Sequence, residues 1–166
     1  MVDFKFVPLS ESDFDLMHDW LNRPHVTEWW DGTETLNQVQ VKYQNKIEAR
    51  FVFPYLIYLN EKPIGYIQMY IAKTDDPDSQ WWPDTEEGTV GVDQLIGEAE
   101  LINKGIGTAF VRQFTDELLK KDWIKKVIVD PTPENARAIR AYEKAGFNAV
   151  GEVVTPDGSA LLMEKI

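Results

Sequence analysis

The sequence predicts a mixed α/β domain built around one sheet, and three observations carry that prediction. Short β-branched and aromatic runs are interleaved with segments whose apolar residues recur every three or four positions. Cap and turn residues punctuate the boundaries. The 166 residues, 43% of them hydrophobic, are enough for one domain, residues 1–166, with a real core, and too apolar for a disordered chain.

The elements follow in order. Phe4–Pro8 reads as a short strand. Ser10 is placed as an N-cap with Asp13 as its capping-box partner, and Phe14, Met17 and Leu21 continue at helical spacing. Leu36, Val39, Tyr43 and Ile47 predict a second helix. Tyr55–Leu59 and Ile64–Ala72 flank Asn60-Glu61-Lys62-Pro63 as a hairpin, with Pro54 at the strand start or on an edge. Residues 73–88 read as an acidic loop containing Trp81 and Trp82, and Thr89–Ile96 as the next strand. Gly105–Lys121 is a helix with Phe110, Val111, Phe114, Leu118 and Leu119 on its apolar side. Lys126–Val129 is a strand, and Glu134–Ala145 a helix that Gly146 ends. Phe147–Val154 and Ala160–Lys165 are strands joined by the turn Thr155-Pro156-Asp157-Gly158. This order of strand, two helices, three strands, helix, strand, helix and two strands belongs to a layered α/β domain.

Charge narrows the function. The net charge is -11, and it is uneven: residues 1–74 carry -3, residues 75–100 carry -9 with no Lys or Arg, and residues 101–166 carry +1. That balance opposes nucleic acid and an anionic membrane surface as partners and favours a cationic one. With no Cys there is no disulfide or thiol nucleophile. His18 and His25 are too few for a histidine metal site, so no metal is expected, and neither is given a catalytic role. The absence of an apolar run of about 18 residues and of a signal pattern leads to the expectation of a cytoplasmic protein.

Two segments carry chemistry. After the strand ending near Gly97, Asn103-Lys104-Gly105-Ile106-Gly107-Thr108 opens a helix, where glycines let N–H groups approach an anion and Lys104 adds a full charge. This stretch is neither a P-loop nor a dinucleotide fingerprint. Downstream, Asp130-Pro131-Thr132-Pro133-Glu134-Asn135 follows a strand, and Tyr142-Glu143-Lys144-Ala145-Gly146-Phe147 ends the next helix. Together these resemble the GNAT superfamily of acetyl-CoA-dependent N-acetyltransferases, most strongly over residues 89–147. The resemblance implies a mostly antiparallel central sheet flanked by helices.

A narrower likeness is carried by Trp20-Leu21-Asn22-Arg23-Pro24-His25 with Glu28-Trp29-Trp30, Pro63-Ile64-Gly65-Tyr66-Ile67-Gln68, Trp81-Trp82, Val92-Asp93-Gln94-Leu95 and Thr155-Pro156-Asp157-Gly158. In this order, these blocks are similar to the aminoglycoside 6′-N-acetyltransferases. The superfamily favours Arg or Gln three residues before its first motif glycine, where this chain has Ile102. Main-chain N–H groups and Lys104 would then do more of the work.

The resemblance implies roles. The backbone of Asp93, Gln94 and Leu95 would pair with the pantetheine amides of acetyl-CoA. Lys104, Gly105, Ile106, Gly107 and Thr108 would hold the pyrophosphate, and Asn135 the pantetheine arm. Tyr142 would lie near the sulfur, where a phenol can hydrogen-bond or protonate the departing thiolate; its alternative is a core aromatic beside Ile139. Asp93 would act as base or amine anchor. A bare Asp, with a pKa of about 3.9, is a poor base for an ammonium. Either burial raises it, or it orients the amine while water carries the proton. Trp30, Tyr43, Gln68, Asp78, Trp82, Asp130 and Asp157 would face a polycationic acceptor through charge-assisted bonds and aromatic faces, although Asp157 is also an ordinary turn residue. The leading expectation is acetyl transfer to the 6′-amine of an aminoglycoside by a monomer or weak homodimer. The alternatives are another amine (polyamine, peptide N-terminus or siderophore-precursor lysine) and a non-catalytic acyl-CoA-binding module.

Overall fold

The computed structural model describes residues 2–30, 32–74 and 85–166. Seven strands form a sheet in the order β1-β2-β3-β4-β5-β7-β6. They are β1 (Lys5–Pro8), β2 (Val52–Leu59), β3 (Lys62–Ile71), β4 (Thr89–Ile96), β5 (Lys126–Val129), β6 (Asn148–Thr155) and β7 (Gly158–Lys165). The pairs β1–β2, β5–β7 and β6–β7 are antiparallel, whereas β4 and β5 are parallel. The helices are α1 (Phe14–Leu21), α2 (Pro24–Thr27), α3 (Leu36–Glu48), α4 (Ile106–Leu119) and α5 (Ala136–Lys144). None among the described residues is long and apolar enough to cross a membrane.

The chain divides into two compact units, residues 1–68 with 94–104, and residues 69–93 with 105–166, so that β3 and β4 each run through both. The first unit is organised by helix periodicity. Phe14, Met17, Trp20 and Leu21 of α1 and Val39 and Tyr43 of α3 are buried with Leu56, Tyr66 and Leu95. The first helical segment opens at Ser10, where the sequence places a cap, and the cap of α3 is Thr35. Ser10 N–H donates to the Asp13 carboxylate at 2.9 Å, although the first turn is a 3-10 turn, Glu11–Asp13, before α1 proper. Thr35 and Gln38 close a reciprocal capping box at 2.8 and 3.2 Å. The β2–β3 hairpin is tighter than the sequence suggests. Only Asn60 and Glu61 form the turn, both at positive φ (50° and 65°), the signature of a type I′ connection. Pro54 lies inside β2, just before the stretch that pairs with β1, and its carbonyl accepts Leu9 N–H at 3.0 Å.

The second unit packs α4 through Phe110, Val111, Phe114 and Leu118, as the spacing requires, whereas Leu119 is only half-buried and Thr115, which apolar periodicity passes over, is buried. The Thr115 hydroxyl donates to the Val111 carbonyl at 2.8 Å and accepts from Lys165 at 2.9 Å. A two-residue turn, Pro156-Asp157, joins β6 and β7, because Thr155 and Gly158 already pair across the ladder. Among the described residues, α2 and the 3-10 turn Ala99–Leu101 were not foreseen. Pro24 at the first position of α2 presets the backbone and lacks only an N–H that no helix would use there; His25 therefore sits on a short helix rather than in a loop.

Candidate active site

In the second unit, β4 pairs with β5 only over Thr89↔Lys126, Val90↔Val127 and Gly91↔Ile128. Continuing this register, Asp93 and Asp130 stand at the same level, two residues past the last pair. Asp157 comes to the same place from the β6–β7 turn. Its N–H donates to Thr155 Oγ1 at 3.1 Å, and that hydroxyl donates to the Gly158 carbonyl at 2.8 Å. Leu161 N–H reaches the Pro131 carbonyl at 2.8 Å and so ties β7 to the segment after Asp130. Three acids thus gather where two strands part. Burial, then the charges of Asp93 and Asp157, push the Asp130 carboxyl up to about 7.

The start of α4 has a distinct geometry. Gly105, its N-cap, has φ +76° and Asn103 φ +62°, both left-handed, which is costly for most residues but not for glycine. No side chain caps the helix, whose first internal bond runs from Ala109 N–H to the Gly105 carbonyl at 3.1 Å. The N–H groups of Ile106, Gly107 and Thr108 therefore form a positive helix end without a side-chain acceptor. Lys104 is exposed beside it. Ile102 is spent on a local turn, its N–H reaching the Ala99 carbonyl at 3.3 Å.

Asn135 is the N-cap of α5. Its Oδ1 accepts from Ala138 N–H at 3.2 Å, its N–H donates to the Thr132 carbonyl at 3.0 Å and its carbonyl accepts from Ile139 N–H at 3.1 Å, which leaves the amide Nδ2 as what it can offer a ligand. Tyr142 is placed by the other end of the same helix. Phe147 N–H donates to the Tyr142 carbonyl at 3.0 Å and Gly146 N–H to Glu143 at 3.1 Å, a Schellman closure with Gly146 at φ +106°. The apolar contact that accompanies this motif is Tyr142 against Phe147, with ring centroids 5.7 Å apart. Arg112 of α4 donates to the Lys144 carbonyl and holds that terminus. The Tyr-Glu-Lys-Ala-Gly-Phe run is therefore a device that fixes one tyrosine at a helix end.

In the first unit, Gln68 is buried and its Oε1 accepts the Tyr66 hydroxyl at 2.6 Å. Trp30 is half-buried and meets Tyr66 edge-on at 6.3 Å. Tyr43, expected to face an acceptor, is 0% exposed. Its ring packs edge-on to Tyr66 at 5.4 Å, so it belongs to the core. Helical periodicity cannot separate these outcomes, since core and site residues share the apolar face. The Leu95 side chain is also core, leaving its backbone for any other role. Asp78 and Trp82 lie outside the described residues. Among the described residues there is no group of three or more metal-ligating side chains.

The Trp20–His25 block shows contacts that sequence reading missed. Arg23 bonds the Gly97 carbonyl at 2.7 Å, Glu98 at 3.0 Å and Asp19 at 2.6 Å, and Trp20 Nε1–H reaches Glu98 at 3.3 Å. The Glu98 carboxyl is itself partly buried, which works against its charge. Arg23 and the Trp20 N–H outweigh that and hold it below the usual glutamate range. Pro24 beside a basic residue was the available signal, but its partners lie more than seventy residues away.

The chain is similar to known proteins. The family described as the acetyltransferase (GNAT) domain matches residues 10–155. An aminoglycoside N(6′)-acetyltransferase type 1 of Klebsiella pneumoniae is 43% identical over 159 residues, 93% of this chain and 79% of that protein. The crystal structure of aminoglycoside acetyltransferase AAC(6′)-Ib in complex with coenzyme A superposes with a TM-score of 0.90 at 40% identity, covering 98% of this chain and 94% of that one. Its complex with coenzyme A and kanamycin gives 0.89, also at 40% identity, with the same coverage of both chains.

Proposed function

Because the chain belongs to the GNAT acetyltransferase family, we propose that it transfers the acetyl group of acetyl-CoA to the 6′-amine of an aminoglycoside. The observation that carries this reading is the gathering of Asp93, Asp130 and Asp157 where β4 parts from β5. A polycationic acceptor supplies what three like charges lack.

The residues present fit an acyl-CoA. Past Gly91 the β5-paired stretch of β4 is over, and the backbone of Gln94 would hold the amide arm as an added strand does, with the Leu95 backbone turned the opposite way. The uncapped start of α4, Gly105 to Thr108, would hold the pyrophosphate with Lys104. Asn135 would bind the arm through its Nδ2. The donor supplies an activated acetyl thioester.

The chain's own groups do the rest. Asp93 orients the ammonium and accepts its proton, directly or through water, freeing the nitrogen lone pair to attack the thioester carbonyl. As the carbon–sulfur bond breaks, its electron pair goes to sulfur, the Tyr142 hydroxyl gives its proton to make the thiol, and the second proton of the acylated nitrogen returns to the phenolate through solvent. Asp130 and Asp157 bind further ammonium groups of the acceptor. No covalent enzyme intermediate is required.

Thiol release from acetyl-CoA with kanamycin, followed by mass spectrometry of the product, tests the assignment. Tyr142→Phe and Asp93→Asn should each lower kcat by about a hundredfold or more. Near-normal turnover in both removes their roles. Turnover with spermidine but not kanamycin moves the acceptor to the linear polyamines.

A further inference from the structure

The backbone at the end of β4 is held by side chains of a distant block. In the first unit, Gly97 N–H donates to the Ile64 carbonyl of β3 at 2.8 Å. Successive residues of a strand turn their backbone groups to opposite edges. Ile96 and Gln94 therefore present theirs to the edge away from β3. On that edge the Ile96 carbonyl accepts from His25 Nε2–H at 2.9 Å. One residue on, the Gly97 carbonyl accepts from the Arg23 guanidinium at 2.7 Å, and that guanidinium is anchored in turn by Glu98 and Asp19. Trp20 closes the network. Its indole donates to Glu98, and its ring fills the space where a Cβ on Gly97 would sit, 2.2 Å from ring atoms. Arg23 and His25 flank Pro24, whose fixed φ at the first position of α2 sets both side chains from one rigid turn.

We infer that His25 and Arg23 are positioning residues for the acyl donor: by holding the Ile96 and Gly97 carbonyls they set the direction of the Gln94 backbone, and His25 on Ile96 marks where the donor's edge ends. The inference rests on the proposal that this edge pairs with the amide arm of acetyl-CoA. Physically, a strand that loses its neighbour loses the ladder that keeps it straight. Two side-chain donors engage the carbonyls immediately beyond the proposed binding stretch. An aliphatic side chain at either position would leave a carbonyl without its donor.

The test uses His25→Ala, Arg23→Lys and His25→Gln, the last because a glutamine amide nitrogen reaches about as far as Nε2. Leu9→Ala, a buried position of the same unit, serves as a stability control. His25→Ala and Arg23→Lys should raise KM for acetyl-CoA and the Kd for coenzyme A about fivefold, the scale of one lost hydrogen bond. The acceptor KM and kcat should stay within about twofold, and His25→Gln should recover most of the loss. Leu9→Ala should lower Tm without moving the donor KM. If the donor KM stays put while Tm falls, or if donor and acceptor KM rise together, the positioning role is overturned. A wild-type chain that fails to bind coenzyme A overturns the parent reading as well, whereas wild-type binding that the variants leave unchanged overturns this role alone.

Discussion

Two partly buried carboxylates in this molecule have opposite fates. Glu98 lies against Arg23 at 3.0 Å and beneath the Trp20 indole, and its pKa falls below the ordinary glutamate range. Asp130 lies near Asp93 and Asp157, and burial and like charge raise it to about 7. The difference is in the company each keeps. A carboxylate given a guanidinium inside the fold completes the structure, whereas one surrounded by its own sign is costly to the fold and suited to a cation arriving from outside. Nearby sequence does not distinguish them, because each follows a strand that ends in an apolar run.

The contrast breaks most readily at the acceptor. Asp130→Asn should raise KM for kanamycin by about tenfold, the scale of one charge-assisted bond, while Glu98→Gln leaves the acceptor KM nearly unchanged. Steady-state kinetics with the acceptor varied would decide it, and equal effects would dissolve the distinction.

Stability should move the opposite way. Arg23→Met leaves Glu98 without its guanidinium and should cost about 1–2 kcal/mol, less than a fully buried pair because the Arg23 side chain is 30% exposed. That corresponds to a Tm lower by about 5 °C. Asp130→Asn should leave Tm at pH 8 unchanged or slightly higher, since it removes repulsion. Differential scanning calorimetry at that pH separates the two signs.

The smallest effect is on pH dependence. The folded chain keeps a proton on Asp130 between about pH 4, the unfolded value, and pH 7, where the unfolded chain has lost it. Stability from this group is therefore full below about pH 4 and is lost as pH rises through 7. Glu98, with a depressed folded value, contributes above the unfolded glutamate range and loses that contribution as pH falls through its folded value. Urea unfolding from pH 4.5 to 8 should show a falling component that Asp130→Asn flattens. The same profile in wild type and variant would show that Asp130 is not the group responsible.

Much of the site was legible in the chain itself. The glycine-rich start of α4 and the Gly146 ending of α5 are local devices, each built from residues within about two turns, so spacing reveals them, whereas Asn135 is expected inside a helix from Glu134 and the structure makes it the cap of α5. Asp93, Asp130 and Asp157 were legible one at a time, but their convergence depends on a parallel pairing that stops at Gly91 and on a hairpin that returns beside it. The reading failed at Tyr43, because an apolar face does not say which of its residues meets a cavity. It missed the work of Arg23 and His25, whose partners are backbone carbonyls at Gly97 and Ile96, and a carbonyl leaves no mark in a sequence.

What the sequence determined by itself was local: element type, helix caps, tight turns and the absence of thiol chemistry, all set by interactions of short reach. What only the tertiary structure decided was which charges are answered inside the fold. Coulomb energy and desolvation depend on distance through space and on burial. Alike in the sequence as members of one acidic stretch, Glu98 is therefore answered by Arg23 in the folded chain, whereas Asp93 joins Asp130 and Asp157 in a cluster of like charge.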